Sequence, residues 1–185
     1  MSDILYIHGA NSTKRSFAYL RANLKTEHMA HYFEYDTHMP CFGNIALCQE
    51  MVNDIQPTAI IGHSLGGIMA AYMTTEAHKI TIAAPFGGSA LANWLPMYSQ
   101  LMRDVATTSP IISGVRRMKP HRCHFLSIVA NGLDGAGFDG VVSYRSQTLL
   151  EGPDYHVFNL NHFEVLVDDE VICVIDQRIC PPATS

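Results

Sequence analysis

Short runs of apolar residues alternate with longer amphipathic stretches along this chain. Such alternation is typical of a parallel sheet wrapped by helices, because strands that are covered on both faces are apolar throughout. The pattern therefore predicts an α/β fold, a mostly parallel sheet of about six strands with helices on both faces. The predicted strands are Ile4–His8, His31–Tyr35, Thr58–Gly62, Ile80–Ala84, Phe125–Ala130 and Tyr155–Leu160. The predicted helices are Ser16–Glu27, Asn44–Ile55, Gly66–His78, Tyr98–Thr107 and Asp168–Cys180.

Residues 1–185 are expected to form a single domain, since no internal repeat, low-complexity tract or linker divides them. The last predicted helix has well-marked ends. Residues 168–170 are acidic and favour the positive end of the helix dipole, and Pro181-Pro182 prevents continuation. Residues 85–120 lack a clear pattern and hold the single tryptophan, Trp94.

Composition narrows the class of protein. The 185 residues are 48% hydrophobic and 16% charged, which is enough apolar content to bury a core and excludes a disordered chain. The net charge of −5 and the lack of a basic run argue against a nucleic-acid partner. No stretch approaches the roughly 20 apolar residues of a membrane span, and no basic signal-peptide segment precedes Ile4. We therefore expect a soluble, cytoplasmic protein without stable membrane insertion.

The cysteines argue against a disulfide-bonded or zinc-binding protein. They are five in number, and no pair has C-x-x-C spacing, which suits neither a disulfide framework nor a zinc site. We expect buried thiols in a reducing compartment, and no metal. The five residues are Cys41, Cys48, Cys123, Cys173 and Cys180.

A G-x-S-x-G motif stands at residues 62–66, directly after a predicted strand and before a run of small and apolar residues. A nucleophilic serine needs its hydroxyl lifted off the sheet on a sharp turn, and the flanking glycines let neighbouring backbone approach. Such a turn places Ser64 at the N-terminus of the next helix, where backbone N–H groups favour negative charge. The motif predicts Ser64 as a nucleophile. The alternative is a glycine-rich turn that only tightens the connection.

A His-Gly-Ala sequence at residues 8–10 follows the first predicted strand directly. In an open parallel sheet, the loops after the carboxyl ends of the strands converge on one crevice, so this loop and the Ser64 turn are expected to meet. The backbone N–H groups of Ala10 and Leu65 would then form an oxyanion hole. The alternative is a turn whose histidine is satisfied locally.

A serine nucleophile needs a neutral imidazole as its base. Among the ten histidines, His162 stands just past the last predicted strand, at the same edge of the sheet. His63 lies inside the turn, with its side chain expected to point away from the position of the base, and His8 belongs to the other loop. We therefore predict His162 as the base.

The acid is expected in the loop after the strand Phe125–Ala130, which offers Asp134 and Asp139. Asp139 precedes a tight Gly-Val-Val turn, and the order serine, aspartate, histidine suits this architecture, but either carboxylate could reach the imidazole. Residues 135–140 also fit the pattern G-x-G-x-x-G of dinucleotide-binding sites. Because poor helix formers follow this pattern, no cofactor is predicted.

Taken together, several segments resemble the α/β-hydrolase fold, in particular its bacterial lipases and esterases. The spacing between Asp139 and His162 is similar to that of the small lipases, which favours Asp139 over Asp134. The resemblance implies a minimal version of the fold that begins at what is usually the third strand and lacks a large cap domain. The segments that carry it are residues 8–9, 62–67, 83–89, 139–142 and 161–163.

The function expected from these residues is that of a serine ester hydrolase acting on a small-molecule ester or acyl substrate. The same residues would also serve a thioesterase, an amidase or an acyltransferase, and a catalytically silent ligand-binding protein could keep the fold. Within residues 86–118, the apolar stretch from Trp94 to Met102 has two interpretations. It forms a small lid or acyl-binding wall over Ser64, or it is an ordinary helix that packs on the sheet.

Overall fold

Six parallel strands form one sheet in the computed structural model, which describes residues 2–89 and 100–180. The strand order is β2-β1-β3-β4-β5-β6, and every neighbouring pair is parallel. The fold class predicted from the sequence is therefore confirmed. The strands are β1 (Ser2–Ile7), β2 (His28–Phe33), β3 (Ala59–His63), β4 (His78–Ile82), β5 (Phe125–Ala130) and β6 (Asp154–Phe158).

The edge strand β2 starts three residues before the predicted boundary, at His28, whose polar ring interrupts the apolar pattern, and it ends two residues early, at Phe33. An edge strand has no neighbour on one side, so it need not be apolar throughout. The His28 ring hydrogen-bonds the Tyr6 hydroxyl at 2.9 Å, and the His31 ring meets the Asp3 carboxylate at 2.7 Å. These contacts let polar residues extend the strand.

Seven α-helices connect the strands within the described residues. They are α1 (Ala18–Asn23), α2 (Cys41–Ile55), α3 (Leu65–Tyr72), α4 (Gln100–Asp104), α5 (Pro110–Val115), α6 (Tyr144–Gln147) and α7 (Asp169–Ile179). Short 3-10 turns cover Lys14–Phe17, Leu133–Gly135 and Glu164–Leu166.

Two predicted helices are too long, and two short helices are missed by the sequence pattern. Helix α1 ends at Asn23, because Leu24 is extended, so the predicted continuation to Glu27 is wrong. Helix α3 ends at Tyr72, because Met73 is extended, and the predicted continuation to His78 is wrong. Helices α5 and α6 were not predicted, since they are only 6 and 4 residues long and show no apolar period. Their starts are capped by the side chains of Ser109 and Ser143, which accept backbone N–H groups.

The helices cover both faces of the sheet. On β1, Ile4 and Tyr6 pack in a cluster that includes residues of α1 and α7, whereas Leu5 and Ile7 pack in a cluster that includes residues of α2, α3 and α5. Successive side chains of a strand point to opposite faces, so β1 contributes to both halves of the core. Among the described helices, none is long and apolar enough to cross a membrane.

The cysteines are only partly where the sequence predicts them. Cys41 and Cys48 are buried on α2, and burial raises the pKa of each thiol to about 12. Cys123, Cys173 and Cys180 are exposed, so the prediction of buried thiols is wrong for these three. The reason on α7 is its amphipathic face, which buries Val171, Ile172 and Ile175 and leaves Cys173 outward. None of the five forms a disulfide.

The apolar stretch from Trp94 to Met102 was predicted to be either a lid or a packed helix. Residues 90–99 lie outside the described part of the chain, and so does most of that prediction. Of the predicted helix Tyr98–Thr107, the structure describes α4 from Gln100.

Candidate active site

Ser64 stands on a strained turn between β3 and α3. Its backbone has φ 53° and ψ −119°, a conformation that residues other than glycine rarely adopt. The turn is held by backbone hydrogen bonds on both sides, from Ser64 N–H to Ile82 O at 2.8 Å and from Gly67 N–H to Ser64 O at 2.9 Å. Ser64 caps the start of α3, so the N–H of Leu65 belongs to the first helical turn, where such groups lack intrahelical partners.

Two glycines allow this turn to lie close to β1. A Cβ atom on Gly66 would stand 2.1 Å from the carbonyl oxygen of Ile7 and 2.5 Å from that of His8. A Cβ atom on Gly62 would stand 2.3 Å from the Gly66 carbonyl oxygen. All three distances to backbone oxygens are too short for any side chain. The first glycine lets the turn close on itself, and the second lets α3 pack against the end of β1.

The loop after β1 contacts the Ser64 turn, as the sequence predicts. A Cβ atom on Gly9 would lie 3.2 Å from Ser64 Cβ and 3.1 Å from His63 Nδ1. Buried His8 donates Nδ1–H to Gly9 O at 2.8 Å and stacks on Tyr35, whose hydroxyl donates to His8 O at 2.9 Å. These contacts order the loop that leads to Ala10.

Asp139 and His162 form a buried hydrogen-bonded pair. His162 Nδ1 lies 2.7 Å from Asp139 Oδ2, and the backbone N–H of His162 donates to Asp139 O at 2.9 Å. The two residues are only 2% and 3% exposed. Because a carboxylate accepts hydrogen bonds, Nδ1 donates the proton of this contact, and Nε2 takes no part in it. Asp134 is exposed in the turn Leu133–Gly135 and has no such contact.

Three further groups hold the Asp139 carboxylate. Oδ1 accepts the backbone N–H groups of Val141 at 2.8 Å and Val142 at 2.6 Å, and Oδ2 accepts Gln147 Nε2 at 3.1 Å as well as the imidazole. Sequence reasoning missed Gln147. It is only 1% exposed, but it stands in a polar stretch with no apolar period, so nothing in the sequence pattern indicates that it is buried.

His63 connects the Ser64 turn to the loop that carries His162, so the expectation that its side chain points away from His162 is wrong. Its Nε2–H donates to the backbone oxygen of His162 at 2.9 Å, and the two ring centres are 4.8 Å apart. Burial, and then the neighbouring His162, lower the pKa of His63 to about 3, so this ring is neutral at physiological pH. In the described residues, the Ser64 hydroxyl makes no hydrogen bond to His162, and contact between turn and loop is made by His63.

The described residues include no group of three or more histidine, cysteine, aspartate or glutamate side chains that could hold a metal ion. The polar groups gathered at this edge of the sheet are instead a serine hydroxyl, a carboxylate, an imidazole and backbone N–H groups.

Comparison with known proteins identifies the fold. No protein-family model matches the chain, and no curated protein matches it. Solved structures do match. A mature lipase from Bacillus licheniformis is 14% identical with a TM-score of 0.70, covering 96% of this chain and 91% of that one. An extracellular α/β-hydrolase from a Paenibacillus species is 10% identical with a TM-score of 0.60, covering 96% and 98%. A thioesterase of the prodiginine biosynthetic pathway in Streptomyces coelicolor is 12% identical with a TM-score of 0.58, covering 96% and 90%. This chain therefore has the α/β-hydrolase fold, in a minimal form.

Proposed function

We propose that this protein is a serine hydrolase that cleaves carboxylic esters through an acyl-enzyme intermediate, with Ser64 as nucleophile, His162 as base and Asp139 as acid. One observation carries the proposal, the buried hydrogen bond of 2.7 Å between His162 Nδ1 and Asp139 Oδ2. It leaves Nε2 as the free base, at the sheet edge where Ser64 stands on its strained turn.

In the acylation step, Ser64 Oγ attacks the ester carbonyl carbon while His162 Nε2 takes the hydroxyl proton. Asp139 keeps Nδ1 protonated and stabilises the imidazolium that forms. The negative charge that develops on the substrate oxygen is stabilised by the backbone N–H groups of Ala10 and Leu65. The proximity of Gly9 to Ser64, and the place of Leu65 in the first turn of α3, support this assignment.

The tetrahedral intermediate then collapses. His162 gives its proton to the leaving alcohol oxygen, the carbon–oxygen bond breaks, and the acyl group stays on Ser64. Water then attacks the acyl carbon while His162 takes a proton from it. The bond between the acyl carbon and Ser64 Oγ breaks, His162 returns the proton to Oγ, and the carboxylic acid leaves. The chemistry needs a small-molecule ester and no cofactor.

The same acylation can use a thioester, and one solved structure with this fold is a thioesterase. A panel of p-nitrophenyl esters, acyl thioesters and anilides of graded chain length distinguishes the leaving group. We expect the highest kcat/KM with carboxylic esters. A higher kcat/KM with thioesters would leave the assignment of Ser64 as nucleophile in place and would make the protein a thioesterase.

Replacing the nucleophile tests the proposal directly. Ser64→Ala is expected to abolish hydrolysis of p-nitrophenyl butyrate and labelling by a fluorophosphonate probe, with an unchanged circular dichroism spectrum. The matched control is Ser16→Ala, whose hydroxyl only donates to Thr13 O in an exposed turn. Wild-type rates or labelling in Ser64→Ala would refute the assignment, and an unreactive wild-type serine would favour a silent binding protein.

A further inference from the structure

Among the residues that the structure describes, Gln147 is the one side chain besides His162 that donates a hydrogen bond to Asp139 Oδ2. It is 1% exposed on the short helix α6, between the loop that carries Asp139 and the end of β5. A buried primary amide must satisfy two donors and an acceptor, so each of its contacts constrains its orientation.

The amide group of Gln147 is held in place by backbone at the end of β5. Its Oε1 accepts the N–H of Ala130 at 2.9 Å, and its Nε2 donates to the carbonyl oxygen of Ala130 at 2.7 Å. This double contact resembles the pairing of one strand residue with another. The second Nε2 proton points toward Asp139 Oδ2, 3.1 Å away, while the carbonyl oxygen of Val142 lies farther off, at 3.5 Å.

The carboxylate of Asp139 thereby has a donor for each lone-pair direction. Oδ1 accepts Val141 N–H and Val142 N–H, and Oδ2 accepts Gln147 and His162. Gln147 shares the oxygen that holds the imidazole. It therefore affects both the direction of that oxygen and the negative charge that the oxygen presents to His162.

We propose that Gln147 is a positioning residue that aims Asp139 Oδ2 at His162 and moderates the charge of this carboxylate, through an amide group fixed by the backbone of Ala130. The inference rests on the proposed function for its kinetic consequences and on geometry alone for the contact itself. Gln147 does not touch the substrate.

The sign of the effect on His162 follows from electrostatics. Removing a donor from Asp139 leaves more negative charge at Oδ2, which stabilises the protonated imidazole relative to the neutral one. The other titratable group facing this pair within the described residues is His63, which is buried and stays neutral. Gln147→Met removes the donor at similar volume.

The experiment combines kinetics with a measurement that needs no activity. For Gln147→Met, kcat for p-nitrophenyl butyrate is expected to fall about 10- to 100-fold with KM nearly unchanged, as befits a lost hydrogen bond to a charged group. The acid limb of the pH profile of kcat/KM should move to higher pH. In NMR spectra, the His162 Nδ1–H signal should shift, and its titration should move in the same direction as the acid limb.

A matched control is available on α2. Gln49 makes the same double contact to one backbone residue, since its Oε1 accepts Thr74 N–H at 2.7 Å and its Nε2 donates to Thr74 O at 3.1 Å. Gln49→Met should leave the pH profile and the His162 signal unchanged. If the folded Gln147→Met variant shows neither the moved acid limb nor the shifted His162 signal, Gln147 is only structural and the inference fails. If wild-type protein hydrolyses no ester, the proposed function fails, while the NMR titration still decides the role of Gln147.

Discussion

His63 donates its Nε2–H to the backbone carbonyl oxygen of His162 across 2.9 Å, so that one histidine fixes the main chain of another. His63 is the last residue of β3 and His162 lies in the loop after β6, and these two strands are not neighbours in the sheet. This hydrogen bond joins the Ser64 turn to the loop that carries the proposed base. His63 Nδ1 is buried without a partner, which suits a ring that stays unprotonated at this nitrogen.

Replacing His63 should change stability in a pH-dependent way. The pKa of His63 is lowered to about 3 in the folded protein, from 6.5 when unperturbed. Below about pH 6.5 the unfolded chain therefore binds more protons than the folded one, and the free energy of unfolding falls as the pH falls toward 3, by up to about 1.4 kcal/mol per pH unit. Above pH 6.5 this contribution is fully present.

Urea denaturation of the wild type and of His63→Gln at pH 4 and pH 7 measures the effect. The Gln amide can donate to His162 O and does not titrate, so the variant should lose less stability between the two pH values. His63→Phe, which removes the donor, should be about 1–3 kcal/mol less stable at pH 7. Equal pH dependence in wild type and His63→Gln would show that His63 does not stay neutral in the fold.

Asp139→Asn should leave the fold intact and lower kcat about 10³- to 10⁴-fold, because an amide no longer selects the tautomer with Nδ1–H. The measurement is hydrolysis of p-nitrophenyl butyrate at saturating substrate. Asp134→Asn is the matched control, in the same loop but exposed, and asparagine tolerates its positive φ of 59°. If Asp134→Asn lowered kcat as much as Asp139→Asn, the assignment of the acid to Asp139 would be wrong.

Tyr35→Phe should lower kcat about 3- to 10-fold through the oxyanion hole, since its hydroxyl holds His8 O at the start of the loop that carries Ala10. A tyrosine with the same kind of contact serves as control. Tyr155 donates to Leu150 O at 2.6 Å, and Tyr155→Phe should leave kcat unchanged. Kinetics of both variants with one ester, alongside thermal unfolding, separate the local effect from general loss of stability.

Gly66→Ala should destabilise the protein by at least about 2–3 kcal/mol, because the new Cβ would lie within 2.5 Å of two backbone oxygens at the end of β1. Gly43→Ala on α2 is the contrasting change. There the Cβ would lie 3.6 Å from Met39 Cε, which is an ordinary contact. Alanine in a helix should therefore raise the free energy of unfolding by about 0.4–1 kcal/mol. Chemical denaturation measures both, and equal effects would contradict the close approach of α3 to β1.

The sequence alone determined the features that depend on local pattern. Buried parallel strands are apolar throughout, so β5 was predicted with the bounds Phe125–Ala130 that the structure has. The glycine spacing around Ser64 predicted the turn between a strand and a helix. Because parallel strands bring their carboxyl ends to one edge, the predicted topology also placed residues 8–10, 64, 139 and 162 on neighbouring loops.

The local pattern leaves open whatever depends on contacts between distant segments. Asp134 and Asp139 have similar sequence surroundings, and the fold buries Asp139 against His162 while it leaves Asp134 in solvent. Gln147 and His63 carry no periodic signal, because their partners are backbone atoms of Ala130 and His162 in other segments. Local pattern reports which face of an element is apolar. Hydrogen bonds between loops are set by how the whole sheet and its helices pack, which no short stretch of sequence contains.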